Sequence, residues 1–82
     1  MVSNFTICEG TVRSLMYDPF VNLWRLTITD QIELSLFRWF CTATYEQIKD
    51  VRLGDYLMCE GQVGANNVIK LTRIQKGRAI PE

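Results

Sequence analysis

The chain has 82 residues, nine cationic and nine acidic side chains, no histidine and a formal net charge of zero. That length makes one small domain, burying about 60% of the surface its unfolded chain would expose, and 48% hydrophobic with 22% charged residues is the balance of a folded globular protein. It excludes a membrane-spanning helix, since no apolar run approaches the roughly 20 residues required, and it weighs against affinity built on phosphate neutralisation alone.

The first ten residues, MVSNFTICEG, lack the basic start and apolar core of a signal peptide, so a cytoplasmic protein is expected. FTICEGTVRSLMY alternates with period two and reads as a long first strand interrupted at Gly10. YDPFVN is a turn, because Pro19 cannot pair in a central strand. LWRLTITD is a second strand, with Trp24, Leu26 and Ile28 on the core face and Arg25, Thr27 and Thr29 opposite. Asp30-Gln31 is expected to reverse the chain tightly. IELSLFRWF then makes a third strand, with Ile32, Leu34 and Leu36 facing inward and Glu33, Ser35, Phe37 and Trp39 facing out. The period changes at Tyr45, Ile48 and Val51, which are three apart; Thr44 as N-cap, Gln47 three residues on and Gly54 as a stop signal predict one short helix. YLMCEGQV is a fourth strand, GANN a turn and VIKLTRIQ a fifth strand. The domain is therefore expected over residues 1–75, with 76–82 (KGRAIPE) as a loose basic tail carrying Lys76 and Arg78.

One segment is written twice: CEGTV at Cys8–Val12 returns as CEGQV at Cys59–Val63. Little else recurs at that period, which argues against a solenoid. Three strands, a helix and two strands is the layout of an OB-fold, a partly open five-stranded barrel in which the first and fourth strands pair. A glycine inside each of those strands permits the sharp bend that closes a small barrel. The fold class expected is all-β with one short helix, in the order β-β-β-α-β-β.

From Ile7 to Ile74 the sequence resembles the nucleic-acid-binding OB-fold family, with the nearest likeness to single-stranded-DNA-binding and tRNA-anticodon-type domains and to the OB domain of Gram-positive replicative DNA polymerases. The residues that carry it are EGTV, RLTITD followed by IELSLF, and LGDYLMCEGQV. The chain departs from the pattern at Asp30-Gln31, where a glycine-containing turn is usual, and in lacking an excess of positive charge. The resemblance implies binding of a single strand, DNA with RNA also open, across the outer face of strands two and three, flanked by the loops joining strands one–two and four–five. Bases stack on aromatic rings there, at about 1–3 kcal/mol each.

Alternation nominates Phe37 and Trp39 as the stacking rings, and Phe37 also falls where the resembling proteins place a stacking aromatic. The alternative is that both, with Phe40, pack beneath the helix. Arg25 on strand two, Arg13 beyond the first kink, and Lys70 and Arg73 on strand five are candidate phosphate contacts, or else solvated surface. Arg38 would face away from Phe37. Tyr17 and Phe20 flank Asp18-Pro19 and would clamp a base or plug the barrel mouth.

No nucleophile stands beside a base, there is no Gly-rich phosphate loop, and no metal-ligand set is spaced for coordination, so no enzyme, cofactor or metal is expected. Cys8, Cys41 and Cys59 are odd in number, widely spaced and free of any CxxC, as small apolar fillers would be. The function expected is single-stranded nucleic-acid binding in replication, recombination or repair, with homo-oligomerisation or a larger replication or repair partner extending a short site. The alternative is a protein-interaction OB module serving as a small subunit of a nucleic-acid-processing complex, its aromatics acting as interface anchors. A fragment of a longer synthetase or helicase is a further alternative.

Overall fold

The computed structural model describes residues 4–77. Five strands, β1 (Phe5–Asp18), β2 (Leu23–Ile32), β3 (Ser35–Ala43), β4 (Tyr56–Val63) and β5 (Val68–Lys76), and one helical turn, α1 (Tyr45–Ile48), follow one another with α1 between β3 and β4. The strands close into a barrel in the order β1-β2-β3-β5-β4, as an OB-fold does. β1 serves two neighbours: Phe5–Thr11 pair with β4 and Thr11–Asp18 with β2, both antiparallel. The closing seam is short and parallel, joining Phe40–Thr42 to Val68–Lys70.

The duplicated segment lies where β1 and β4 meet, with Cys8 directly opposite Cys59. Its two glycines do not face each other. A Cβ on Gly10 would stand 2.2 Å from the Thr29 carbonyl oxygen of β2, and one on Gly61 would stand 2.5 Å from the Lys70 carbonyl oxygen of β5. Each glycine therefore lets its own strand crease against its outer neighbour. Bulges accompany both creases, between Val12 and Ser14 in the β1–β2 ladder and between Glu60 and Gly61 in the β4–β5 ladder. A bulge adds twist and re-aims a side chain, and here it turns Arg13 outward.

Inside the barrel, Cys8, Val12, Leu26, Ile28, Cys41, Leu57, Cys59, Ile69 and Leu71 form one cluster, closed at the end by Ile48 and Val51. The three cysteines are buried and unbridged. Hydrogen bonding to Cys8, reinforced by burial, pushes the Cys41 and Cys59 thiols up, so both stay protonated. α1 begins as expected: the Thr44 side chain accepts from the Gln47 amide, and the Gln47 side chain accepts from the Thr44 amide. The Gln47 side-chain nitrogen also donates to the Leu71 carbonyl at 2.9 Å, fastening the turn to β5.

Two expectations are corrected. β2 runs on to Ile32, which pairs with Ser35, so the chain reverses at Glu33-Leu34 and not at Asp30-Gln31. Glu33 takes the left-handed φ of 56° that the tight turn demands, in the absence of a glycine. The alternation of β3 is also the reverse of the expected one. Cys41 and Ala43 are buried and Trp39 packs on the core, which puts Phe37 on that same face, whereas Ile32, Leu34 and Leu36 are exposed at 54%, 100% and 61%. Those three residues belong to the tip of the β2–β3 hairpin, where neither face is covered. Lys76 ends β5 and its Nζ lies 3.3 Å from Asp55 Oδ2, so it is part of the barrel wall; Arg78 and the rest of the expected tail lie outside the described residues.

Candidate nucleic-acid interface

The β2–β3 register fixes which side chains share the outer face. Arg25 stands beside Thr42, Thr27 beside Phe40, Thr29 beside Arg38 and Gln31 beside Leu36. β1 extends the face with Ser14 opposite Thr27 and Met16 opposite Arg25, and β5 extends it with Lys70 beside Thr42. Arg25, Thr42 and Lys70 thus make one cross-strand row, and Thr27 and Phe40 make the next.

Phe40, 54% exposed, is the ring at the centre of this face. It divides two shallow hollows. The larger, about 410 Å³, is lined by Arg13 and Ser14 of β1, Thr27 and Thr29 of β2, and Leu36, Arg38 and Phe40 of β3. The smaller, about 200 Å³, runs from Phe40 past Met16, Arg25 and Thr42 to Val68. Neither is lined by a carboxylate. Moving two residues along a strand advances about 6.6 Å, so successive flat groups could occupy the two sides of Phe40.

The polar groups here are already ordered. Arg13 Nε donates to Thr29 Oγ1 at 3.1 Å, which covers the Thr29 side chain, and Ser14 Oγ donates to Thr27 Oγ1 at 2.8 Å. Arg25 Nε donates to Asp18 Oδ2 at 2.7 Å, with the Arg25 side chain 61% exposed. Asp18 in turn accepts from the Phe20 amide at 3.0 Å. The Arg25 hydrogen bond first, and that amide second, hold the Asp18 carboxyl below the usual range. One carboxylate therefore orients an exposed cation of the outer face and folds the β1–β2 turn. No ion pair holds Arg38 among the described residues.

Of the expected site residues, Arg13, Arg25 and Lys70 come together on this face. Phe37 and Trp39 do not: their rings stack on each other, centroids 6.1 Å apart at 22°, on the opposite face of β3. The outward rings were expected to be these two, and Phe40 takes that place with Arg38 and Leu36 beside it. Arg73 lies on another wall, by Ile7, Met58 and Glu60. In the β1–β2 turn Phe20 is 95% exposed, while Tyr17 leans on Trp24 at 5.5 Å and its hydroxyl donates to Asn22 Oδ1 at 2.7 Å. Phe20 projects fully, and Tyr17, braced against Trp24, is itself 46% exposed. A parity count anchored on the small residues Cys41 and Ala43, instead of on the apolar tip, would have found Phe40 and Arg38.

No protein-family model matches the chain, and no curated protein matches it. Among solved structures, a small single-stranded DNA binding protein from Mycoplasma pneumoniae superposes with a TM-score of 0.70 at 16% identity, covering 100% of both chains. The SSB domain of a protein from Synechococcus sp. superposes with a TM-score of 0.61 at 20% identity, over 90% of this chain and 96% of that one. At such identities the likeness is one of fold: this chain shares the five-stranded barrel of those proteins.

Proposed function

We propose that the protein binds single-stranded nucleic acid, DNA foremost, along the outer face of β1, β2 and β3. The observation that carries this is the carboxylate-free pair of hollows around Phe40, edged by Arg13, Arg38 and Arg25. Bases stack on Phe40 and the guanidiniums meet the phosphates, with Lys70 and Phe20 at the margins. The shared fold with proteins whose names record single-stranded DNA binding supports the same role. A face this size holds only a few nucleotides, so several copies would act along a strand during replication, recombination or repair.

Fluorescence anisotropy of labelled single-stranded and duplex oligonucleotides tests this. Binding of the single strand alone, with a shallow salt dependence, is the expected result; no binding at low salt refutes it. A second reading rests on the hairpin tip, where Ile32, Leu34 and Leu36 are exposed on a chain of zero net charge. Such an apolar tip suits a protein partner in a nucleic-acid-processing complex.

A further inference from the structure

The outer face ends in bare apolar side chains at both extremities of β2. At one end the β2–β3 turn carries Leu34, wholly exposed, between the exposed Ile32 and Leu36. At the other end the β1–β2 turn carries Phe20 and Val21, both exposed. None of these side chains belongs to the core cluster, so the barrel closes without them. β2, ten residues long, holds the two ends about 30 Å apart. The ends also differ in charge. From Leu26 to Phe37 the chain has two acids, Asp30 and Glu33, and no cation. At the opposite end Arg25 is engaged with Asp18, while Lys70, in the same cross-strand row as Arg25, holds no ion pair among the described residues. An acidic apolar end and a cationic apolar end complement each other better than either complements itself.

The two hollows beside Phe40 follow one another along β2, so a ligand seated in both points from one turn toward the other. A single strand has direction, and copies bound to it in one orientation are related by translation. The front of each then meets the back of the next, a heterologous contact that propagates instead of closing. Resting on the function proposed above, we infer that neighbouring copies of this chain dock head to tail along a bound strand, with the β2–β3 turn of one copy, led by Leu34, seated against Phe20 and Val21 of the next. Glu33 is carried toward the Lys70 side of that neighbour. The contact is far smaller than the roughly 800 Å² per partner of a stable dimer. It therefore forms where the strand already holds two copies side by side at high effective concentration, and binding to a long strand is cooperative.

The test compares strand lengths. An oligo-dT of about six nucleotides admits one copy and one of about sixty admits a row; both are titrated with the full chain by anisotropy. The parent is expected to bind the long strand with a per-site affinity about tenfold above that for the short one, the worth of covering a bare leucine. Leu34→Ser and Val21→Ser are each expected to bring the long-strand affinity down to the short-strand value, with short-strand affinity and circular dichroism those of the parent. The double variant is expected to fall no further than either single, because both remove one contact. Equal per-site affinity of the parent for both lengths overturns the docking and leaves the binding function standing. Absence of binding to either length overturns both. Loss of cooperativity in Leu34→Ser alone assigns the contact to like tips and overturns the head-to-tail pairing. Cooperativity that survives Leu34→Ser leaves the tip to an unlike protein partner and overturns it as well.

Discussion

Phe40→Ala isolates the stacking ring. Phe40 is 54% exposed on the outer face, and a phenylalanine side chain offers roughly 200 Å² of apolar surface, so about 110 Å² is free to be covered. A base lies on one face of a ring and covers about half of that, roughly 55 Å², worth about 1.4 kcal/mol at 25 cal/mol per Å². The substitution is therefore expected to weaken binding of a labelled oligo-dT about tenfold, within the ~1–3 kcal/mol range for stacking. Removing the buried part of the ring, roughly 90 Å², costs about 2 kcal/mol of stability as an upper bound, so titrations are run well below the melting transition. Phe40→Leu retains most of that packing and still removes the π-face. Phe37→Ala serves as the contrasting variant, because Phe37 sits on the opposite face of β3, stacked on Trp39. Unchanged affinity in both Phe40 variants, with a tenfold loss in Phe37→Ala, would refute the placement of the ligand.

Arg38→Gln is expected to leave folding intact and to lower the slope of log affinity against log salt by about 0.7, the share of one phosphate on a single strand. Gly10→Ala forces a Cβ to within 2.2 Å of the Thr29 carbonyl oxygen, and Gly61→Ala one to within 2.5 Å of that of Lys70. Each should cost about 1–3 kcal/mol or more in urea unfolding, and a parent-like midpoint for either would sink the crease. Asp18, ordinarily 3.8, is depressed by Arg25 and by the Phe20 amide. Its contribution to stability is complete above pH 3.8 and is lost as pH falls through the lower folded value, so Asp18→Asn should flatten the acid limb of the stability profile. Tyr56 donates to Glu9 at 2.6 Å and is pushed up to about 12, first by that bond and then by burial. The stability it contributes is whole below pH 10 and declines as pH rises toward 12; Tyr56→Phe should remove that decline in alkaline melts.

The barrel was largely legible in the sequence because its strands announce themselves by alternation and its helix by a capping box that forms as written. The duplicated Cys-Glu-Gly marked the β1–β4 contact correctly, although each glycine answers to a different neighbour. The site was less legible. Ile32, Leu34 and Leu36 carry the strongest apolar alternation of β3, yet they occupy a hairpin tip that extends past the covered interior. A period-two signal gives the spacing of side chains but not which set is buried, and a one-residue shift inverts every assignment. Arg13 was placed outward correctly, but the bulge that turns it, and its bond to Thr29, depend on the partner strand. Local sequence carries no trace of that.

Three sealed thiols, one each on β1, β3 and β4, also give the protein an internal clock for its own breathing. An alkylating reagent reacts with the thiolate and needs access, so labelling of each cysteine reports the moments when its strand parts from the wall. Cys41 is the middle residue of the three-residue parallel seam, opposite Ile69, whereas Cys8 and Cys59 face each other in the long antiparallel ladder. With the seam as the weakest stitch, Cys41 would be tagged first, and the order of labelling would trace how the barrel comes undone.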